Sequence, residues 1–397
     1  MKNKKQKILL FTILGLVGFS SMQETIAQNK LPEWAFGGFV RPKGVNPLIE
    51  PIQETTFDCP MREALVKWEC ADTFNPAATV KEGKICILYR AEDNPNVGIG
   101  KRTSRIGLVE SKDGISVTKR YNTPVLYPDH SDISKTYEWK GGCEDPRIAV
   151  TEDGLYVMAY TAWNNQTPRL AIATSRDLLT WEKHGPAFAK AYEGRFKDLA
   201  CKSGSIVTEV KNGRQVIAKV NGKYLMYWGE WYVAAATSED LINWEPVLDQ
   251  EKDKLLKLIT PRDGYFDSNL TECGPPAVVT DKGILLLYNG KNAEGNKQDK
   301  RFAARTYSAG QVLFDKVNPF KVLDRLDVPF FRPMADFEKS GQYVSGTVFI
   351  EGLVFFKKKW YLYYGCADSK VGVAIYDPAK KTDGDPLTTS VAKRVLQ

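Results

Sequence analysis

The stretch Ser175-Arg176-Asp177-Leu178-Leu179-Thr180-Trp181-Glu182 returns 63 residues later as Ser238-Glu239-Asp240-Leu241-Ile242-Asn243-Trp244-Glu245. Its opening phrase also stands 64 residues earlier, as Ser111-Lys112-Asp113-Gly114. In each place the phrase ends an apolar run of the kind that forms a strand. A repeat longer than about 50 residues made of strand-rich units points to the blades of a propeller rather than to a helical solenoid. A second marker agrees: Tyr89, Tyr160, Tyr227, Tyr288 and Tyr363 sit in apolar-aromatic runs spaced at comparable intervals, which makes five units. One small antiparallel sheet cannot bury both of its faces, so five of them must pack side by side around an axis. The expected fold is therefore all-β, a five-bladed β-propeller with a cleft at its centre.

Working outward, blade one is expected within Ala77–Gly114, blade two within Glu144–His184 and blade three within Ser203–Val247. A charged connection at 252–263 then leads to blade four, Glu272 to Leu323, and to blade five, Tyr343 to Asp377. No segment carries a sustained helical apolar stripe. Residues 28–70, with Pro32, Pro42, Pro47, Pro51 and Pro60, read as an extended arm that wraps or closes the ring. Ahead of it, Lys2, Lys4, Lys5 and Lys7, the apolar run Ile8–Phe19 and the small-residue site Thr25-Ile26-Ala27 have the form of a cleavable signal peptide over residues 1–27. That run is shorter than the roughly 20 apolar residues a membrane-spanning helix needs, and no Cys lies beside it to accept a lipid. The expectation is an exported protein, periplasmic or secreted, free of the membrane after cleavage.

Part of the formal charge of +7 leaves with the signal peptide. The remainder is not clustered, so nucleic acid is not an expected partner. The seven cysteines form no C-x-x-C pair and the only histidines are His130 and His184. A zinc site, a disulfide scaffold and a Ser-His-Asp triad are thus all disfavoured, and no metal or cofactor is expected. Cys59 and Cys70 are the nearest pair should one bridge form. Oligomeric state is not readable.

Chemistry is carried by acids at the ends of inner strands. Asp145 opens blade two in Gly141-Gly142-Cys143-Glu144-Asp145-Pro146-Arg147-Ile148. Glu230 follows Tyr224-Leu225-Met226-Tyr227-Trp228-Gly229, and Glu272 lies in Leu270-Thr271-Glu272-Cys273-Gly274-Pro275-Pro276. Carboxyls beside apolar and Pro residues are poorly solvated, and the raised pKa that results suits a general acid or base. Each taken singly could equally be a turn residue or a solvated blade edge. Arg90 and Asp368 occupy matching strand ends in blades one and five, where they could hold sugar hydroxyls or pair with neighbouring charges. Trp139, Trp163, Trp228 and Trp231 could offer flat faces to sugar rings.

Phe74-Asn75-Pro76-Ala77, Leu88-Tyr89-Arg90-Ala91, Arg105-Ile106-Gly107-Leu108, the Glu144-Asp145-Pro146-Arg147 run, Tyr160-Thr161-Ala162 and Tyr363-Tyr364-Gly365-Cys366-Ala367-Asp368 resemble glycoside hydrolase family 130. The resemblance implies a five-bladed propeller acting on a β-mannoside oligosaccharide. It implies Asp145 as general acid, working through the mannose 3-hydroxyl, with Asn75, Arg90, Arg105, Arg147 and Asp368 around the sugar. Phosphorylases of the family carry a His-Arg pair that grips phosphate at the end of the third blade's inner strand, where this chain has Tyr227-Trp228-Gly229-Glu230. Arginine is the side chain that holds phosphate in two-pronged fashion, and a carboxylate in its place repels the dianion. Glu230 and Glu272 resemble the acid pair of the β-1,2-mannosidase branch, which activates water. The leading expectation is an inverting exo-β-mannosidase. The alternatives are a phosphorylase releasing mannose 1-phosphate, for which Lys197 and Lys202 keep some positive charge, and a non-catalytic carbohydrate-binding propeller.

Overall fold

The structure is a computed structural model describing residues 31–98 and 100–380. The signal-peptide reading of residues 1–27 lies outside the described residues.

The repeated phrase is a turn that builds itself. Ser111, Ser175 and Ser238 each end a strand, and their hydroxyls accept the N–H three residues on, at Gly114, Leu178 and Leu241, at 2.8, 2.8 and 2.9 Å. The aspartates two residues along, Asp113, Asp177 and Asp240, take the next two backbone N–H groups through Oδ1. Ser and Asp side chains close turns in this way by standing in for backbone acceptors. The fourth residue must then adopt a left-handed conformation, with φ of 87° at Gly114, 68° at Leu178 and 67° at Leu241. Trp181 and Trp244 seal the turns by donating to the carbonyls of Leu178 and Leu241. Asp315 repeats only the aspartate's part, accepting from the N–H groups of Val317 and Asn318.

The described chain is nearly all β, with one six-residue α-helix, Asp132–Tyr137, capped by Ser131. Five successive antiparallel groups follow the arm. The first contains Asp72–Lys81, Lys84–Glu92, Ser104–Ser111 and Lys119–Arg120. The second contains Gly142–Val150, Tyr156–Trp163, Pro168–Ser175 and Glu182–Pro186. These two are joined by a single parallel pair, Ser104 with Gly142. In the third group Lys223–Trp228 pairs with Gly204–Ile206 and Ala234–Ser238. The expected third unit is not self-contained: the hairpin Thr208–Lys211 and Arg214–Ile217 joins the fourth group, because the N–H and hydroxyl of Thr208 both donate to Ala277 O. The fourth group is built on Ile284–Lys291 and Tyr307–Phe314, and the fifth on Val348–Phe356, Lys359–Cys366 and Lys370–Tyr376. The arm supplies the outer edge of the fifth group, where Val40 pairs with Ile375 and Ile49 with Val371, both antiparallel.

Apolar side chains fill five clusters, each shared by two neighbouring groups. Leu88 and Met158 meet between the first and second, Ile172 and Met226 between the second and third, and Tyr227 and Leu286 between the third and fourth. Leu287 and Ile350 meet between the fourth and fifth. The last cluster, with Ile87, Tyr363 and Val354, joins the fifth group back to the first.

Four groups share a lock invisible in the sequence. A buried acid from the connection entering the group accepts the hydroxyl of a second-strand tyrosine and pairs with a base on the outer strand. Tyr89 donates to Glu69 at 2.7 Å, and Glu69 pairs with Arg120. Tyr160 and Lys183 both donate to Glu138, at 2.7 and 2.6 Å. Tyr288 and Arg325 both donate to Asp267, at 2.6 and 2.6 Å. In the fifth group Tyr364 and Arg41 of the arm donate to Glu338 at 2.8 and 2.6 Å. The third group departs from the pattern, with Tyr227 donating instead to Pro319 O. All seven cysteines are free thiols, Cys59 and Cys70 included.

Candidate functional site

The first strands of groups one, two and five each carry a bulge, and the extra residues are Asn75, the Asp145-Pro146 step and Glu351. A bulge bends the strand and re-aims a side chain. Asn75 and Asp145 both have φ of 47°, a left-handed conformation that Asn and Asp tolerate better than other side chains. Pro follows each, so the ladder loses no N–H donor at the kink. The two side chains meet, Asn75 Nδ2 donating to Asp145 Oδ1 at 2.9 Å.

Around them lies a cavity of about 340 Å³ with Arg90, Glu144, Lys202, Glu230, Glu272 and Asp368 in its lining. Another cavity, of about 380 Å³, opens three residues further along the same strands, at Ala78, Ile148 and Val354. Its lining is mainly apolar, with Glu82 as its one acid, so the chemistry resides in the former.

Arg90 organises one wall. Its guanidinium donates to Glu92 at 2.6 Å, Glu144 at 2.9 Å and Asp145 at 3.0 Å, and lies over the Phe74 ring. On the other wall Lys202 stands 3.3 Å from Glu230, and the Ser203 hydroxyl donates to Glu272. Burial alone would raise Asp145, but Arg90, Lys202, Arg147 and the Asn75 hydrogen bond outweigh it and hold the carboxyl at about 2. Burial wins at the neighbours. It pushes Glu144 up to about 7 against Arg90, Glu272 up to about 7 against Lys202, and Asp368 up to about 7 against Arg90. Burial also works against the Lys202 ammonium, yet Glu272, Glu230, Asp145 and Glu144 keep it charged well above the ordinary lysine range.

Of the residues singled out from the sequence, Asn75, Arg90, Asp145, Glu230, Glu272 and Asp368 come together here. Arg105 and Arg147 are not part of that lining. Arg105 has no exposed surface and spends its guanidinium on Asp93 at 2.9 Å and on Cys59 of the arm segment. Arg147 lies under the floor, donating to the carbonyls of Asp145 and Cys273, both at 2.9 Å, and of Gly274 at 3.3 Å. Trp163 lines the cavity, whereas Trp228 is core against Phe188 and Trp139 packs on His130. Trp231 is 56% exposed and is not part of the lining.

Sequence reasoning missed Glu144, although it adjoins Asp145, and the aromatic wall of Tyr307, Tyr343 and Phe349. No local signal marked those three. Among the described residues no group of three or more His, Cys, Asp or Glu side chains is arranged to hold a metal ion.

Carboxyls that exchange protons near neutrality, facing flat rings in an open cavity, are what chemistry on sugars requires. The comparisons with known proteins agree. The chain belongs to glycoside hydrolase family 130, whose family model, described as beta-1,4-mannooligosaccharide phosphorylase, matches residues 42–380. Members of the family are enzymes acting on β-mannosides. A 1,2-beta-oligomannan phosphorylase of Thermoanaerobacter sp. (strain X514) is 33% identical over 322 residues, covering 80% of this chain and 94% of that one. Two solved structures are 64% identical with TM-scores of 0.88, each match covering 91% of this chain and 99% of the other. One is a glycosyl hydrolase from Bacteroides ovatus. The other is described with the words "The GH130 family of mannoside phosphorylases contains glycoside hydrolases that target beta-1,2 mannosidic linkages in Candida mannan".

Proposed function

We propose that the protein is an exported, inverting exo-β-mannosidase on a five-bladed propeller, with β-1,2-mannosides as substrate. The propeller reading is supported by the five apolar clusters that lead from group to group and back to the first. Export rests on the form of residues 1–27. The observation that carries hydrolysis is the pair Glu230 and Glu272 in the lining of the cavity that holds Asp145, where a phosphate dianion would meet carboxylates. The similarity to the glycosyl hydrolase from Bacteroides ovatus supports the same reading.

In this mechanism Glu272 or Glu230 takes a proton from water, whose oxygen attacks the anomeric carbon from the far side. The glycosidic bond breaks, and the leaving oxygen takes the proton of the mannose 3-hydroxyl, which Asp145 replaces. Asp145 is ionised in the free protein, so it must be loaded as sugar displaces water from around it. The nearest proton at neutral pH is on Glu144, which shares the Arg90 guanidinium. Asn75, Arg90 and Asp368 hold the sugar hydroxyls.

A phosphorylase is the second reading, favoured by the 1,2-beta-oligomannan phosphorylase relative and by Lys202 in the cavity. Proton NMR of linkage-defined β-mannobioses with and without phosphate separates the two. Phosphate-independent release of mannose, first seen as the α anomer, supports hydrolysis. A strict phosphate requirement with mannose 1-phosphate as product overturns it, and no turnover in either condition leaves a binding protein.

A further inference from the structure

Beneath the cavity floor Arg147 and Glu351 form a pair that reaches both walls and is closed to solvent, at 1% and 0% side-chain exposure. Arg147 spreads its fork over three backbone carbonyls. One belongs to Asp145 itself, and the other two belong to Cys273 and Gly274, the residues directly after Glu272. Its Nη2 also lies 4.0 Å from the Glu272 carboxylate. One guanidinium thus ties the second-group bulge to the fourth-group strand. Glu351, the extra residue of the fifth-group bulge, places Oε1 3.0 Å from Arg147 Nη1, yet neither carboxyl oxygen has an aligned hydrogen-bond donor among the described residues. A buried carboxyl so poorly satisfied is an exception that calls for a reason.

We propose that Arg147 and Glu351 are positioning residues: a buried clamp that sets the separation of Asp145 from Glu272 without touching the sugar. This rests on the reading of Asp145 and Glu272 as the two sides of the reaction. It replaces the sugar-contacting role that the family resemblance implied for Arg147. The fork geometry is essential, because a lysine keeps the charge at a single point and lacks the planar spread of donors with which Arg147 reaches three carbonyls in fixed directions. Burial, with Asp145 and Glu272 nearby, raises Glu351 well above the carboxylate range against the pull of Arg147 and Arg90. Its neutral form is therefore the working one, and a glutamine reproduces that form.

The test is steady-state kinetics of Arg147→Lys, Glu351→Ala and Glu351→Gln on a β-1,2-mannobiose, with the folded fraction of each fixed by circular dichroism. Misplacement of reacting groups by about 1 Å costs roughly 100-fold. Arg147→Lys is accordingly expected to lower kcat about 100-fold with KM within about threefold. Glu351→Ala should lower kcat at least about tenfold, and Glu351→Gln should restore it to within about threefold of the parent. If Arg147→Lys does not fold, the Glu351 pair of variants decides alone. A KM raised tenfold at unchanged kcat would make Arg147 a sugar ligand and overturn the clamp. So would wild-type kcat per folded molecule in Glu351→Ala, or a Gln variant as damaged as the Ala one. An unmutated protein inactive on every β-mannoside would remove the proposed function itself, and the clamp with it; an active parent with unaffected variants removes the clamp alone.

Discussion

Replacing Arg90 by Met keeps an unbranched stem and removes the cation on which Glu92, Glu144 and Asp145 converge. The three contacts, at 2.6, 2.9 and 3.0 Å, are buried on both sides. Deleting one partner of a buried pair costs about 3–5 kcal/mol, because a charge is left without its counterpart. Part of that can be worked from Asp145. It is held from 3.8 down to about 2, against its burial and with Arg90 first among the opposing influences. Each pH unit is worth about 1.4 kcal/mol, so the depression stabilises the fold by roughly 2–3 kcal/mol. A depressed carboxyl contributes fully above its unfolded value and loses the contribution only as pH falls toward 2. In the parent it is therefore present at pH 5 and pH 8 alike. Glu144 runs the other way: it is raised from 4.5 to about 7 by burial, so stability declines as pH rises through that window. Without Arg90 both carboxyls move up, and at pH 8 each must either keep a proton that the unfolded chain has given up or ionise with only the weaker pull of Lys202 and, for Asp145, Arg147. Urea unfolding followed by tryptophan fluorescence should show the variant weakened by about 4 kcal/mol at pH 8 and by roughly half as much at pH 5. A loss below about 1 kcal/mol at pH 8, or an equal loss at both values, would refute the view that Arg90 sets the charge state of the acid pair.

Glu272→Gln should lower kcat by about 10²–10⁴. It should also erase the acidic limb that the parent shows near pH 7, where Glu272 must give up its proton to serve as base; a pH–rate profile with that limb intact would point to Glu230 instead. Trp163→Ala removes one flat wall of the cavity and should raise KM about fivefold with kcat held, as stacking worth about 1 kcal/mol requires. Isothermal titration with mannobiose, with Glu272→Gln added to both proteins to slow turnover, gives the same comparison for binding alone. Arg41→Met takes the base from the fifth-group lock and leaves Glu338 buried beside Tyr364, so urea unfolding should show a loss of about 3 kcal/mol.

The repeat was legible because its physics is local. Ser111, Ser175 and Ser238 close their turns within four residues, so the spacing of three phrases was enough to count units. The tyrosines were legible because second strands are buried on both faces and read as unbroken apolar runs. The locks were not, since Glu69, Glu138, Asp267 and Glu338 come from connections without period and meet bases 45 to 297 residues away. Arg147 stands two residues from Asp145, and in a regular strand residues two apart share a face. A bulge lies between Glu144 and Arg147, and the guanidinium is taken up under the floor by the carbonyls of Asp145, Cys273 and Gly274. Arg105 belongs to a third strand, Ser104–Ser111, where its side chain meets Asp93 and the arm segment.

Strands and strand ends of separate groups deliver carboxyls from distant parts of the chain to one cavity, and so many acids cannot all ionise there. Two lining cations, Arg90 and Lys202, face Glu144, Asp145, Glu230, Glu272 and Asp368. Environment divides the acids: Asp145 is held down at about 2, while burial lifts Glu144, Glu272 and Asp368 to about 7. Environments that drive neighbouring carboxyls apart are how one site keeps an acid and a base at the same pH. In our reading the division also decides the nucleophile. A phosphate dianion entering such a cavity must drive protons onto several carboxylates or find cations beyond these two, whereas water needs only one carboxyl that can take its proton near pH 7.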